Sequence, residues 1–100
     1  MWETLTVVKI RFFANLEIFM EKKELALTLD DSRQHTVADV VTEISRLEGK
    51  GLKGMVMEEQ GRPRGSVRIV LNDRLLLKDA LETEVRDGDR ILVFPLLGGG

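Results

Sequence analysis

The sequence predicts an α+β fold in which a mixed sheet of four to five strands carries one main helix packed across one face. Three observations support this. β-Branched and aromatic residues alternate with charged ones towards both ends of the chain, as half-buried strands require. One amphipathic stretch with helical spacing lies between them. No internal repeat or change of composition divides the 100 residues, so a single domain is expected over residues 1–100.

From Val7 to Phe13, Val8, Ile10 and Phe12 alternate with Lys9 and Arg11, which predicts the first strand. The charged run Glu21-Lys22-Lys23-Glu24 leads into Leu25, Leu27 and Leu29, alternating with Ala26 and Thr28. This is a second strand, paired with the first as a hairpin and ended by Asp30-Asp31-Ser32. Val37, Val40, Val41, Ile44 and Leu47 then recur at three- and four-residue steps, giving a helix of about three turns with one apolar face. Thr36 is placed to cap it, Asp39 puts a carboxylate in its first turn, and Gly49 supplies the stop. Gly51, Gly54, Gly61, Pro63 and Gly65 predict a loop from Lys50 to Gly65, with one short turn around Met55 to Glu59.

Val67, Ile69 and Leu71 form the third strand, and the Asn72-Asp73 turn leads to a short fourth from Arg74 through Leu75 to Leu77. Leu81 is expected to be buried. Asp87-Gly88-Asp89 is a tight turn that launches a last strand from Arg90 to Phe94, and Pro95, which has no amide hydrogen, ends its pairing. Residues 96–100, Leu96-Leu97-Gly98-Gly99-Gly100, are expected to form a flexible tail.

The composition excludes much chemistry. With no cysteine there is no disulfide, thiolate nucleophile or Cys-ligated metal. A net charge of −2, from 17 acidic and 15 basic residues that are interspersed, gives no basic stripe, so nucleic acid is not an expected partner. No apolar run approaches the roughly 18 residues of a membrane span, and no secretory leader is present, so a cytoplasmic location without a membrane partner is expected. His35 is the only histidine, which rules out a histidine triad or multi-histidine metal site within one chain; beside a helix cap it reads as a surface or capping residue. Asp30-Asp31, Glu58-Glu59 and Asp87-Gly88-Asp89 fall at turns and loops, where carboxylates serve as solvated caps. We therefore expect no catalytic residue, no metal ligand and no bound cofactor.

The tail is different in kind. At an average glycine usage of about 7%, three consecutive glycines at one fixed place are rare enough to imply selection. Without a Cβ, an extended Gly99-Gly100 end can thread a narrow channel and set its carboxylate against ATP in another enzyme's site. An acyl-adenylate made there carries a good leaving group for attack by sulfur or an amine.

With this tail, three segments resemble the β-grasp, ubiquitin-like sulfur carriers, and most closely the small subunit of molybdopterin synthase. Lys9-Ile10-Arg11-Phe12-Phe13-Ala14 is similar to the family's first strand with paired aromatics, and Thr36-Val37-Ala38 to its helix start. Asp87-Gly88-Asp89 through Phe94-Pro95 to Gly99-Gly100 resembles its signature ending. The resemblance implies that a ubiquitin-activating-like adenylyltransferase, using ATP, activates Gly100, and that a sulfur donor then makes the thiocarboxylate. It further implies delivery of the sulfur within the large molybdopterin synthase subunit. Phe13, Phe94 and Leu75 would form an apolar docking surface, with Pro95, Leu96, Leu97 and Gly98 entering the partner. The chain departs from the molybdopterin carriers at Leu96, where a second proline is usual, and at Gly98, where a small or hydroxyl residue is commoner. A lysine-conjugated protein modifier, a carrier for thiamine or tRNA thiolation, and a non-conjugating β-grasp binding module are the alternative expectations.

Overall fold

The computed structural model describes residues 5–30, 32–57 and 67–95. In chain order its elements are β1 (Leu5–Phe12), α1 (Asn15–Met20), β2 (Glu24–Asp30), β3 (His35–Thr36), α2 (Val37–Glu48) and α3 (Leu52–Val56). They are followed by β4 (Val67–Leu71), β5 (Arg74–Leu75), a 3₁₀ turn (Ala80–Glu82), β6 (Glu84–Val85) and β7 (Arg90–Pro95). Among the described residues, β2-β1-β7-β4-β5 form one mixed sheet, and β3 pairs with β6 in a second, two-stranded one.

Alternation in the sequence becomes alternation across the sheet. β1 pairs antiparallel with β2, Val8 opposite Leu27 and Ile10 opposite Leu25, and parallel with β7, Ile10 opposite Ile91 and Phe12 opposite Val93. Ile69 of β4 also faces Val93. Val8, Ile10, Phe12, Ile69, Ile91 and Val93 are all buried and point towards α2, whereas Lys9, Arg11 and Arg90 point outwards and are exposed. A slip of one residue would exchange the two sets, so burial fixes the register.

Val37, Val40, Val41 and Ile44 of α2 close the core against this sheet. Both ends of α2 are specified as expected. The Thr36 hydroxyl accepts the Asp39 N–H at 3.2 Å while the Asp39 carboxylate accepts the Thr36 N–H at 2.9 Å, a reciprocal cap. Gly49 stops the helix at φ +65°, a left-handed conformation for which glycine pays no Cβ penalty. The Asn72-Asp73 turn also forms, with φ of 49° and 69°, positive at both central positions as a tight hairpin requires. Leu81 is buried, and Gly88, at φ +88°, turns the chain into β7.

Five expectations need correction. First, α1, an unassigned segment in the sequence, lies inside the β1–β2 connection. Its six residues are too few to show a helical period, yet Leu16 and Met20, four apart, are buried. Second, Leu47 is 54% exposed, since the buried face of α2 runs from Val37 only as far as Ile44. Third, a short helix, α3, begins at Leu52, earlier than the expected turn at Met55, and buries Leu52 and Val56. Fourth, Pro95 remains within β7, opposite Val67. In β7 the odd-numbered positions aim their backbone at β1, as Lys9 N donating to Asp89 O shows, and pairing with β1 ends at Phe12 and Val93. The missing proline N–H therefore costs the ladder nothing. Fifth, His35 is neither a surface nor a capping residue. It is 7% exposed in β3, and its Nε2 donates to the Asp30 carbonyl at 2.5 Å, tying the end of β2 to the second sheet. Among the described residues its buried Nδ1 has no hydrogen-bond partner. The expected turn residue Asp31, the loop of residues 58–66 and the tail of residues 96–100 lie outside the described residues.

Ile44→Ala should destabilise the protein by about 2–5 kcal/mol and Leu47→Ala by less than about 0.5 kcal/mol, read from denaturant midpoints. Asp39 supplies a pH dependence. Burial opposes its ionisation, but hydrogen bonds from the Thr36 backbone and from Arg33 outweigh this and hold its carboxyl below the ordinary value of 3.8. A depressed folded pKa stabilises the fold above the unfolded value and is lost as pH falls through the folded one. Asp39→Ala should thus cost about 1 kcal/mol at neutral pH. Denaturation curves of variant and wild type should converge as the pH drops below 3.8.

Candidate functional site

The parity that buries one side of the sheet builds the site on the other. Outward positions of β7 are Arg90, Leu92 and Phe94; those of β4 are Arg68 and Val70, with Arg68 opposite Phe94 and Val70 opposite Leu92. Arg11 of β1 stands beside Leu92 on the other flank, and Leu75 of β5 beside Val70. One row across four strands therefore reads Arg11, Leu92, Val70, Leu75.

Phe13 follows β1 and completes this face. Phe12 and Phe13, as neighbours in an extended segment, must point to opposite sides. Phe12 is wholly buried in the core, while Phe13 is half-buried and stacks on Phe94 with ring centroids 4.2 Å apart and an interplanar angle of 13°. The Arg11 guanidinium carbon lies 5.1 Å from the Phe13 ring centre, in cation–π range. The backbone at Ala14, with φ 52° and ψ −129°, turns the chain away immediately after the ring. A side chain rarely adopts that conformation, so Phe13 is held in place against local strain.

The site residues expected from the sequence thus divide. Phe13 and Phe94 are brought into contact, Leu75 lies two strands from Phe94 on the same face and is 44% exposed, and Pro95 is the half-buried last residue of β7. Leu96, Leu97, Gly98, Gly99 and Gly100 lie outside the described residues. Leu92 and Val70, which link the aromatic pair to Leu75, were not singled out in the sequence. The signal was available, since they share the parity of Phe94 and Arg68, but it becomes a surface only when β7 is known to lie between β1 and β4.

The turn that starts β7 is fastened to both neighbours. Val7 N donates to an Asp87 carboxylate oxygen at 2.8 Å, and Gly88 N to Val7 O at 2.8 Å. The Asp89 carboxylate accepts from Arg86 N and from the Asn72 side-chain amide, each at 2.8 Å, and Asn72 in turn accepts from Arg90 N at 2.9 Å. These carboxylates hold backbone, as expected of turn residues, and fix where the outward residues of β7 begin. Among the described residues no group of three or more His, Asp or Glu could hold a metal ion, and no helix is long and apolar enough to cross a membrane.

The chain resembles known proteins over nearly its whole length. The model of the ThiS family matches residues 10–100, from β1 through the final glycines. The chain belongs to the ThiS family. It is 32% identical to small archaeal modifier protein 3 of Haloferax volcanii, over 93% of this chain and 98% of that protein. Its fold is similar to the solution structure of small archaeal modifier protein 1 from Methanosarcina acetivorans, with a TM-score of 0.75, 28% identity, and coverage of 97% and 99%. It is also similar to a chain in the complex of subunits 1 and 2 of the molybdopterin-converting factor from Helicobacter pylori, with a TM-score of 0.56, 26% identity, and coverage of 95% and 100%. The fold is the β-grasp of ubiquitin-like proteins, and the family membership makes this a small sulfur carrier or ubiquitin-like modifier.

The stacked pair gives a direct test of the geometry. A double-mutant cycle on Phe13→Ala and Phe94→Ala should return a coupling of about 0.5–1.5 kcal/mol in unfolding free energy, whereas pairing Phe13→Ala with Leu75→Ala should return nearly zero.

Proposed function

We propose that this protein is a cytoplasmic sulfur carrier, itself non-catalytic and without a bound cofactor, that serves molybdopterin synthesis through a thiocarboxylate on Gly100. The observation that carries this reading is the Phe13–Phe94 stack. An aromatic pair left half-open on the outward face, at the end of the strand leading to Leu96-Leu97-Gly98-Gly99-Gly100, suits a surface that docks while the chain end is presented to a partner's site. Membership of the ThiS family, with the match running through residue 100, supports the same role.

The chemistry is supplied by partners. A ubiquitin-activating-like adenylyltransferase joins the Gly100 carboxylate to the α-phosphate of ATP, releasing pyrophosphate. A sulfur donor then replaces AMP at the acyl carbon, leaving a thiocarboxylate. Gly99 and Gly100 can enter a channel too narrow for side chains, while Phe13, Leu75 and Phe94 dock and Pro95 to Gly98 form the approach. The likeness to a chain of the two-subunit molybdopterin-converting factor complex supports a large synthase subunit as the receiving partner.

A second reading has its own support. The 32% identity to a protein named as a small archaeal modifier favours conjugation of the activated terminus to lysine amines. The first steps are shared, and the nucleophile at the acyl carbon differs. Sulfur delivery to thiamine or tRNA uses the same terminus again.

Intact mass of the protein from its native cells tests the proposal. We expect a rise matching one oxygen replaced by sulfur, abolished by deleting Gly100, with the denaturation midpoint unchanged by that deletion. Lysines of other proteins bearing the C-terminal segment of this chain that follows Arg90 after tryptic digestion, without any sulfur-bearing mass, would replace the carrier reading with the modifier one. Retention of cellular function without Gly99 and Gly100 would leave a binding module.

A further inference from the structure

The two edges of the main sheet are built differently. β5 ends one side with Arg74 and Leu75 alone, too short to template another strand. β2 ends the other side with seven residues, paired to β1 from Leu5 opposite Asp30 to Arg11 opposite Glu24 without a bulge. It contains no proline, and its charged residues, Glu24 and Asp30, stand only at its ends. Short length, bulges, prolines and mid-strand charges are the usual means of keeping an edge from pairing, and β2 has none of them.

The backbone groups left open on this edge are specific ones. Phe12 N donates to Lys23 O at 2.8 Å, and bonded pairs alternate along an antiparallel ladder, so Lys23, Leu25, Leu27 and Leu29 are the residues bonded to β1. The N–H and C=O groups of Glu24, Ala26, Thr28 and Asp30 therefore point away from the sheet. His35 occupies the Asp30 carbonyl. Among the described residues nothing bonds to those groups of Glu24, Ala26 and Thr28. The side chains of Ala26 and Thr28 are small and exposed, so they leave the edge uncovered.

The sequence of β2 is complementary to itself at this edge. With two antiparallel copies centred on Ala26, Ala26 meets Ala26, Glu24 meets Thr28, and Lys22, which pairs with Glu48 in the single chain, comes opposite Asp30. On the inward side Leu25 then meets Leu27, an apolar cross-strand pair. Centring on Leu27 would instead set Glu24 against Asp30 at both ends, like charges that destabilise a sheet. Centring on Leu25 would oppose only Glu24 and Ala26 among the open positions of the strand. Charge and length thus select one register, and this self-complementarity favours a second copy over an unrelated strand.

We infer that β2 pairs antiparallel with β2 of a second copy of this chain about Ala26, joining two five-stranded sheets into one. The two-fold axis stands perpendicular to the sheet, so the faces that carry Phe13 and Phe94 remain open and look the same way in both copies. The inference is independent of the carrier reading.

The test follows the full chain by sedimentation equilibrium up to about 1 mM, a range that reveals even weak association, and by hydrogen exchange at low and high concentration. Wild type should dimerise, with exchange of the Glu24, Ala26 and Thr28 amides slowed as concentration rises. Ala26→Glu and Ala26→Lys each set like charges across the axis and should weaken the dimer roughly 3–5-fold at low salt. An equimolar mixture of the two variants should associate at least as tightly as wild type, because a glutamate then meets a lysine. Rescue by mixing cannot come from misfolded chains, and the glutamate also faces Lys9 within its own sheet. A wild type that stays monomeric at about 1 mM refutes the inference. So does a dimer that leaves the three amides unprotected, or one that both charged variants form unimpaired, since it would use another surface. Protection of these amides that appears only when a different protein is added would give the edge to that protein and refute self-pairing.

Discussion

The pairing of β7 between β1 and β4 is the constraint on which the rest of the molecule depends. It joins the two ends of the sequence in a parallel ladder and places Ile91 and Val93 at the centre of the core. Parallel pairing cannot be made by a hairpin, so the intervening chain must cross over, and α2 makes that crossing on the buried side. The same strand puts Leu92 and Phe94 on the opposite side, where they become the middle of the exposed face. Core and surface are thus two parities of one six-residue segment. A change that shifted its register would lose both.

The described interior holds apolar side chains, one tied histidine and one threonine, and outside the helices and sheet ladders its backbone hydrogen bonds mostly fasten turns and helix ends. In the carrier role proposed above, reactivity would belong to the chain end and to the enzymes that receive it, and the domain would contribute position and recognition. Folding stability and reactivity can then be altered almost independently, since they use different residues.

Elements with long, uncontested periodicity were legible in the sequence. β1, β2, β4 and β7 alternate clearly, and α2 has both a helical stripe and specified ends, with Thr36, Asp39 and Gly49 each doing what their chemistry suggested. Where the sequence was opaque, the structure is decided by contacts distant along the chain. α1 has too few residues for a period and owes its existence to the burial of Leu16 and Met20 under a sheet the local sequence does not reveal. His35 is buried because β3 pairs with β6, fifty residues away. Leu47 was misplaced because a helical stripe records which residues are apolar, and the length of the contact depends on the neighbour. For the site, the aromatic residues were legible one by one, whereas the surface they form with Leu92, Val70 and the flanking cations required the strand order.

The alanine after Phe13 holds a strained backbone. At φ 52° and ψ −129°, Ala14 occupies territory that glycine enters freely and alanine does not. Glycine there would relax the backbone but would also widen the arc through which the preceding ring can swing. Alanine narrows that arc, at a cost in backbone strain.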